Sequence, residues 1–492
     1  MESIESLRPL LAILVSLAAA PVIASSGRWP NGREFWTFTA AAIKFGLVAS
    51  MLPAVLGGAQ YTLTIAHIAP GADIALKVDS LGMLFALVSS SLWIVTSCYS
   101  IGYMRGLDEH SQTRYFVFFA LALSATIGVA FSANLLTMYL FYEMLSLATY
   151  PLVVHHQDRE ARTSGRKYLL YIMGTSIGLA LPAMLVAYHA AGTLEFSPQG
   201  FMANSGLSVA AMTVLLVMFV FGFAKAGIMP FHSWLPAAMV APTPVSALLH
   251  AVAVVKVGVF SIVRVAHDVY GLELLKQMQV STLMCTIASV TIITASLIAL
   301  SQDGLKRRLA FSTIGQLSYI VLGVFLLSPK GFTGGTVHIA MHAFGKITLF
   351  MCAGAIFVAT GKKYISEMTG IGRRMPVTMF CFLIGSLSVI GIPPTGGFFS
   401  KWYLLQGTLQ SGQWAFLVVL LVSSLLNAAY FLPIVYNAFF CPAERNLFGS
   451  EVKEAPMACV VPITITAAVS MALFFYPDVF RTLAQMAVPA GL

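Results

Sequence analysis

The sequence predicts an all-α polytopic membrane protein of about fourteen transmembrane helices. These form two inverted five-helix repeats (helices 4 to 8 and 9 to 13), with breaks in helices 7 and 12. Three observations predict this fold. First, the 492 residues are 58% hydrophobic and only 10% charged, with a mean hydropathy of +0.85, whereas soluble domains carry about 25% charged residues. Second, apolar segments of roughly 20 residues, the length that crosses a bilayer, recur along the whole chain. Third, Lys and Arg alternate between rich and poor loops, the pattern that membrane insertion imposes.

In chain order the spans fall near 7–26, 35–57, 80–104, 114–131, 133–154, 168–191, 208–230, 243–270, 277–300, 305–327, 336–360, 375–409, 413–440 and 457–476. Loops after odd-numbered spans hold seventeen Lys and Arg, among them Arg28, Arg105, Arg159, Lys306, Lys362, Arg445 and Lys453. Loops after even-numbered spans hold three, Lys77, Lys276 and Lys330. A miscounted span would scramble this alternation. It therefore places both termini outside, in the inner (plasma) membrane of the cell.

The whole chain, 1–492, is expected to be a single membrane domain. Helices 1 to 3 occupy 1–104, the first repeat 114–270, the second repeat 277–440, and the last helix lies in 457–492. Residues 60–79 alternate apolar and polar around Pro70-Gly71, which predicts a small hairpin on the outer face.

Several function classes are excluded. The net charge of +9 is largely the loop asymmetry, so it points to no nucleic acid, whose binders carry a basic stripe on a soluble domain. The first span, with "APVIAS" behind it, could pass for a signal peptide, but Glu2 and Glu5 spoil a basic n-region. Six scattered cysteines form no CxxC pair. There is no GxGxxG, GxxxxGK[ST] or HExxH motif, so no cofactor, metal or catalytic site is expected.

Two spans are interrupted alike. The seventh runs into "AKAGIMPFHSWLP", and the twelfth contains "GIPPTGGFFSKW". Broken helices free backbone groups that lipid cannot satisfy, so they persist only where protein or water surrounds them. The two breaks lie five helices apart, so their segments cross in opposite directions, as inverted repeats do.

Each charge near the bilayer centre costs about 2.5–3.5 kcal/mol or more and needs a reason. Glu143 is the one acid placed deep in a span. Lys225 precedes the first break, Lys256 follows His250 in the eighth span, and Lys401 follows the second break. In "HIAMHAFGKITLFMCAG", His338, His342 and Lys346 recur at intervals of four and form one stripe on a helix. The plain reading is that each snorkels or caps a helix; the sharper one is a proton relay. Desolvation can bring a buried lysine's pKa from about 10.4 toward neutrality, and a nearby carboxylate pushes it back. His232 reads as a satisfied polar contact, Lys44 and Arg264 as snorkelling or lipid-facing, and Asp79 as a helix cap.

The stretches "NLLTMYLFYEMLSLATYPLV", "FAKAGIMPFHSWLPAAMVAPTPVSALLHAVAVVKVGVF", "KRRLAFSTIGQLSYIVLG", "HAFGKITLFMCAGA" and "GIPPTGGFFSKW" resemble the signatures of the antiporter-like proton-translocating subunits. That superfamily comprises the large membrane subunits of respiratory complex I, of membrane-bound hydrogenases and of Mrp-type cation/proton antiporters. The resemblance covers helices 3 to 13. It implies fourteen helices and a hydrated axis halfway across the bilayer. It also implies a pairing of Glu143 with Lys225, connecting positions at His250 and Lys256, a central stretch at His338, His342 and Lys346, and a terminal position at Lys401.

The chain ends sixteen residues after the last predicted span, without the long lateral helix of the largest complex I subunit. Lys401 stands where one complex I subunit type has Glu. These departures favour a protein similar to the D-type component of Mrp antiporters, with complex I and hydrogenase subunits, where it would serve a translocase, as the alternative. The implied partners are further membrane subunits and the lipid bilayer, and the implied transported ions are protons, with Na+ in an antiporter. A stand-alone solute transporter would need a substrate pocket between the repeats, and a degenerate scaffold would have lost the charged positions.

Overall fold

A computed structural model describes residues 2–442 and 453–489; Arg445 of the loop count lies outside them. Helices occupy every predicted span. They are α1 (Arg8–Ser25), α2 (Pro30–Leu56), α3 (Ser80–Gly106), α4 (Gln112–Ala130), α5 (Leu135–Val153), α6 (Arg159–Ala191), α7 (Val209–Gly222) and α8 (Thr243–Tyr270). Then follow α9 (Ser281–Ser301), α10 (Leu305–Phe325), α11 (Pro329–Thr360), α12a (Pro376–Ile390), α12b (Gly396–Gln410), α13 (Trp414–Phe440) and α14 (Met457–Phe475). Eleven helices among the described residues are long and apolar enough to cross a membrane. The shorter α7 and α12a belong to the two interrupted spans. The polar-studded α5 falls outside the eleven, so the count of fourteen stays an expectation.

Local chemistry sets the helix starts. Asp79, Asn134, Asp158, Ser208 and Ser328 each accept a hydrogen bond from a backbone N–H in the first turn of α3, α5, α6, α7 and α11, satisfying donors that a helix N-terminus leaves orphaned. Asp158 thereby lets α6 begin at Arg159, well before the apolar stretch. In α11 the glycine-rich "PKGFTGG" is helical seven residues before the predicted start. A Cβ at Gly334 would come 2.7 Å from the Leu404 nitrogen, and one at Gly335 2.8 Å from the Ile320 carbonyl oxygen. Here the glycines serve close helix packing, which outweighs their low helix propensity.

The predicted hairpin is present. β2 (Gln60–Ala69) and β3 (Ala72–Val78) pair antiparallel around Pro70-Gly71, and β1 (Ser3–Glu5) adds a parallel third strand. A short terminal helix, α15 (Asp478–Met486), buries Leu483 and Ala484 and packs against α3 and α11. Neither β1 nor α15 follows from hydropathy.

α8 and α11 form the centre of the bundle. Every residue of α8 is buried, and α11 is buried from Gly331 to Ile356, against α3, α10, α12a, α12b and α14. α8 also contains two π-helical turns, Leu248–Val252 and Val265–Tyr270, each holding ionisable side chains.

Lys44 and Arg264 do not snorkel. Lys44 faces neither lipid nor a headgroup: it is buried, its Nζ donates to the Leu123 carbonyl at 3.0 Å, and it lies 4.9 Å from the Trp93 ring centroid. Arg264 is buried too. Its guanidinium donates two bonds of 2.6 Å to the Asp79 carboxylate and one of 2.9 Å to Asp268, while His267 Nδ1 lies 2.9 Å from the other Asp268 oxygen. Asp79 is thus both the α3 cap and an ion-pair partner. The snorkelling reading fails because the compensating groups lie inside the bundle: a carbonyl of α4 for Lys44, and for Arg264 both Asp79 at the start of α3 and Asp268 one turn along its own helix. Removing one member of such a buried cluster strands the others. Arg264→Met should therefore cost about 3–5 kcal/mol of stability, seen as a lower thermal unfolding midpoint in detergent. Arg264→Lys, which cannot bond bidentately, should fall between; an unchanged midpoint in Arg264→Met would remove the cluster from the fold's supports.

Candidate functional site

The predicted charged residues lie along a buried polar axis. α7 ends at Gly222, earlier than expected from a span reaching 230, and Lys225 sits in a 3₁₀ turn, Ala224–Ala226. A Cβ at Gly258 would come 2.1 Å from the Ala226 nitrogen, so glycine is required where α8 meets the turn. Lys225 Nζ donates to the Tyr142 carbonyl at 2.8 Å and to Ser146 Oγ at 2.7 Å, and lies 3.2 Å from the Tyr142 ring centroid.

Glu143 is one helical turn before Ser146 and half-buried. Its Oε2 accepts from Ser146 Oγ at 3.3 Å, while Oε1 is buried without a protein partner. The resemblance implied a Glu143–Lys225 pair; the two are joined through the Ser146 hydroxyl, and among the described residues no direct ion pair links them. Ser146 was not singled out from sequence, although it lies at i+3 from the acid, on the same face.

His250 occupies the first π turn of α8, 4.6 Å from the Phe350 ring centroid, with both ring nitrogens buried and unpartnered. Lys256 reaches α11, where its Nζ stands 2.7 Å from His342 Nδ1. His342 Nε2 is open, and its ring is 5.6 Å from that of His338. His338 bonds Ser400 Oγ of α12b at 2.8 Å and Gln316 Oε1 of α10 at 3.2 Å. Lys346 donates to Ser312 Oγ of α10 at 2.8 Å. The stripe on α11 is therefore answered by Ser312 and Gln316, themselves four residues apart on α10, a spacing the sequence displayed without marking it.

Lys401 completes the axis. Its Nζ donates to the Val389 and Ile390 carbonyls at 2.7 and 3.0 Å, groups released where α12a ends. The Tyr319 ring lies 4.7 Å from Lys401 Nζ and 5.7 Å from the His338 ring, linking the two. His232 stays apart, partly exposed, with Nδ1 3.2 Å from its neighbour Pro230's carbonyl oxygen. Among the described residues, no hydrogen bond links Lys225 to the ionisable groups of α8 and α11.

Such an axis, inside a helical bundle interrupted at two matched places, defines a polytopic membrane protein of the antiporter-like class. The chain belongs to the NADH:quinone oxidoreductase/Mrp antiporter transmembrane family, whose model matches residues 132–427. It is 29% identical to the N-type component of the NADH-quinone oxidoreductase of Desulforudis audaxviator, over 98% of this chain and 97% of that one. It is 32% identical to hydrogenase-4 component B of Escherichia coli over 87% and 67%, and 30% identical to the A-type component of the Na(+)/H(+) antiporter of Alkalihalophilus pseudofirmus over 86% and 55%. The fold is shared with a chain of the archaeal membrane-bound sulfane sulfur reductase, with TM-score 0.86, 23% identity and coverage of 98% and 97%. A chain of the Mrp complex from Dietzia sp. gives 0.83, 21%, and 97% of both.

The Lys256–His342 contact yields a stability prediction. His342→Ala leaves a buried ammonium without its acceptor and should cost about 1–3 kcal/mol, whereas His342→Gln restores a carbonyl oxygen and most of the loss. Thermal unfolding of the three proteins in one detergent checks this; equal losses in both variants would count against the contact.

Proposed function

We propose that this chain is the ion-translocating, proton-conducting subunit of a multisubunit membrane complex. Protons pass along Glu143, Lys225, His250, Lys256, His342, His338, Lys346 and Lys401. One observation carries this reading: Lys225, Lys256, Lys346 and Lys401 lie along the buried axis and are held by carbonyl, hydroxyl or imidazole acceptors, without carboxylates, whereas the fifth buried lysine, Lys44, bonds α4 away from it. A lysine on a neutral acceptor can discharge its proton without stranding an anion in low dielectric. The open nitrogens of His250 and His342 can exchange protons with water entering the axis. Water would carry the step between Lys225 and α8.

The first reading of the parent complex is a Mrp-type Na+/H+ antiporter, with this chain similar to its D-type component; the identity to the A-type component of a Na(+)/H(+) antiporter supports it. A proton-pumping subunit of an NADH-quinone oxidoreductase or a hydrogenase is the alternative, favoured by the end-to-end match to an N-type component of the former. The basic loops would face the cytoplasm and both termini the outside of the plasma membrane. Glu143 lies beside exposed Leu140, Met144 and Leu147, a place for a charge that a neighbouring protein covers.

Everted vesicles holding the assembled complex provide the test, read as proton uptake or Na+-driven pH change. Lys256→Ala and Lys346→Ala should leave assembly intact and slow transfer; lost assembly with normal transport in the remaining complexes would refute the relay.

Glu143→Gln removes the anion that favours a charged Lys225, and Lys225→Met leaves the acid without its cation. Each should impair transport strongly, and the pair together should be little worse than either alone. Ser146→Ala, which removes the bridging hydroxyl and leaves both charges, should slow transport in the same direction but less. Additive losses, or wild-type rates in Glu143→Gln, would show that these residues are not one switch.

A further inference from the structure

Away from the axis, the loop that follows α3 and the loop that follows α5 bring four donor side chains together. Glu109 Oε2 is 3.6 Å from His110 Nδ1, 3.9 Å from His155 Nε2 and 3.9 Å from His156 Nδ1. The three imidazole centroids stand 4.8, 5.6 and 5.9 Å from one another. One donor atom each from Glu109, His110 and His156 falls within a 4.8 Å span. We propose that Glu109, His110, His155 and His156 bind a divalent transition-metal ion of the zinc type, which ties the two loops together.

The spacings argue for a metal over hydrogen bonds. Carboxylate–imidazole hydrogen bonds run about 2.7–3.2 Å, shorter than any of the three. Ligands at about 2.0–2.1 Å from a tetrahedral zinc stand roughly 3.3–3.5 Å apart, so the carboxylate–imidazole spacings need shorten by only a few tenths of an ångström, while the wider spacings, up to 4.8 Å among Glu109, His110 and His156 and outside that span for His155, close by turns of the imidazole side chains. The donor set, imidazole nitrogens with one carboxylate oxygen, suits zinc and its first-row neighbours.

An independent observation comes from His155. The side chain is fully buried, yet neither ring nitrogen makes a hydrogen bond of good geometry; the His110 backbone lies only within loose reach, and Nε2 stands 3.9 Å from the Glu109 carboxylate. Buried polar groups left unpaired are rare in folded proteins. A bound ion would occupy Nε2. Arg114 donates from Nη2 to the His155 carbonyl at 2.7 Å, holding the backbone in place.

The consequence is mechanical. An ion here would fasten the end of α3 to the end of α5, the helix that carries Glu143 and Ser146. It would restrain α5 without touching the axis, and the proposal stands whether or not the protein conducts protons.

The test uses the full-length protein in detergent, stripped with a chelator and titrated with Zn2+ against a chromophoric competitor, then with Co2+ for its visible absorption. One equivalent should bind, with Co2+ bands of tetrahedral intensity, and Zn2+ should raise the unfolding midpoint. His110→Ala, at an exposed ring that leaves packing alone, should weaken binding by about 10-fold or more; Glu109→Gln and the His110→Ala–His156→Ala double variant should weaken it further. His67→Ala, remote from the cluster, should bind as the wild type does. No stoichiometric Zn2+ binding, undiminished binding in the double variant, or an equal loss in His67→Ala would each overturn the proposal.

Discussion

A lysine in the interior of this bundle must have its ammonium protons met by something, and what meets them divides the buried cations into two kinds. Arg264, which stays protonated in any protein environment, is given two carboxylates, Asp79 and Asp268. The lysines are given neutral acceptors: a carbonyl for Lys44, a carbonyl and a hydroxyl for Lys225, an imidazole for Lys256, a hydroxyl for Lys346, and two carbonyls for Lys401. A permanent charge with permanent counter-charges is a fixture, and it locks the start of α3 to the end of α8. A lysine on a neutral acceptor keeps its protonation state open. Similar burial thus serves anchorage in one case and, in the proposed path, transfer in the other.

Most carbonyls inside helices are already engaged by the backbone ladder, although Lys44 and Lys225 each share one in an unbroken helix, and the two helix breaks add acceptors or reach where Lys401 and Lys225 need them. Val389 and Ile390 can accept from Lys401 because α12a stops at Gly391, whose φ of +89° closes the helix in a conformation that favours glycine. Lys225 uses the other device. Its own helix stops, so that the lysine can turn toward α5, where the Ser146 hydroxyl and the Tyr142 carbonyl are both available. α8 carries its own irregularities: His250 lies in one π turn, and His267 and Asp268 in the other, each where the regular hydrogen-bond ladder is interrupted.

The legibility of this architecture from sequence follows the range of each interaction. Spacing within one helix was readable, so the His338, His342 and Lys346 stripe emerged intact, as did the hairpin around Pro70-Gly71 and both breaks, which Pro and Gly announce. Partners on other helices were hidden. Arg264 loses one partner to range, since Asp79 is 185 positions away in the chain, while Asp268 at i+4 on the same helix was a readable pair that went unused; Lys44 reads as isolated because its acceptor is a backbone carbonyl, which no residue letter encodes. The start of α11 was missed because its glycines look like a loop and act as a packing surface. Glu109-His110 and His155-His156 form no metal motif because two adjacent pairs on separate loops carry no ligand spacing along the chain.

The Ser146 bridge bears on how a charge at the edge of the bundle can govern one inside it. A direct Glu143–Lys225 ion pair would hold the proton on the lysine firmly, since opposite charges in contact favour the ionised forms of both. With a hydroxyl between them the attraction is weaker, and it is changed by a single rotation about the Ser146 side chain, which can also turn toward the Tyr142 carbonyl, 3.3 Å away. Glu143 is half-buried at an apolar perimeter, so whatever covers that face alters the solvation of the acid before it alters anything else. That change would reach Lys225 through one hydroxyl and proceed inward to α8 through water. In the proposed path, control would enter wherever a neighbouring protein covers that perimeter, and the neutral acceptors along the axis would let the proton state respond to it.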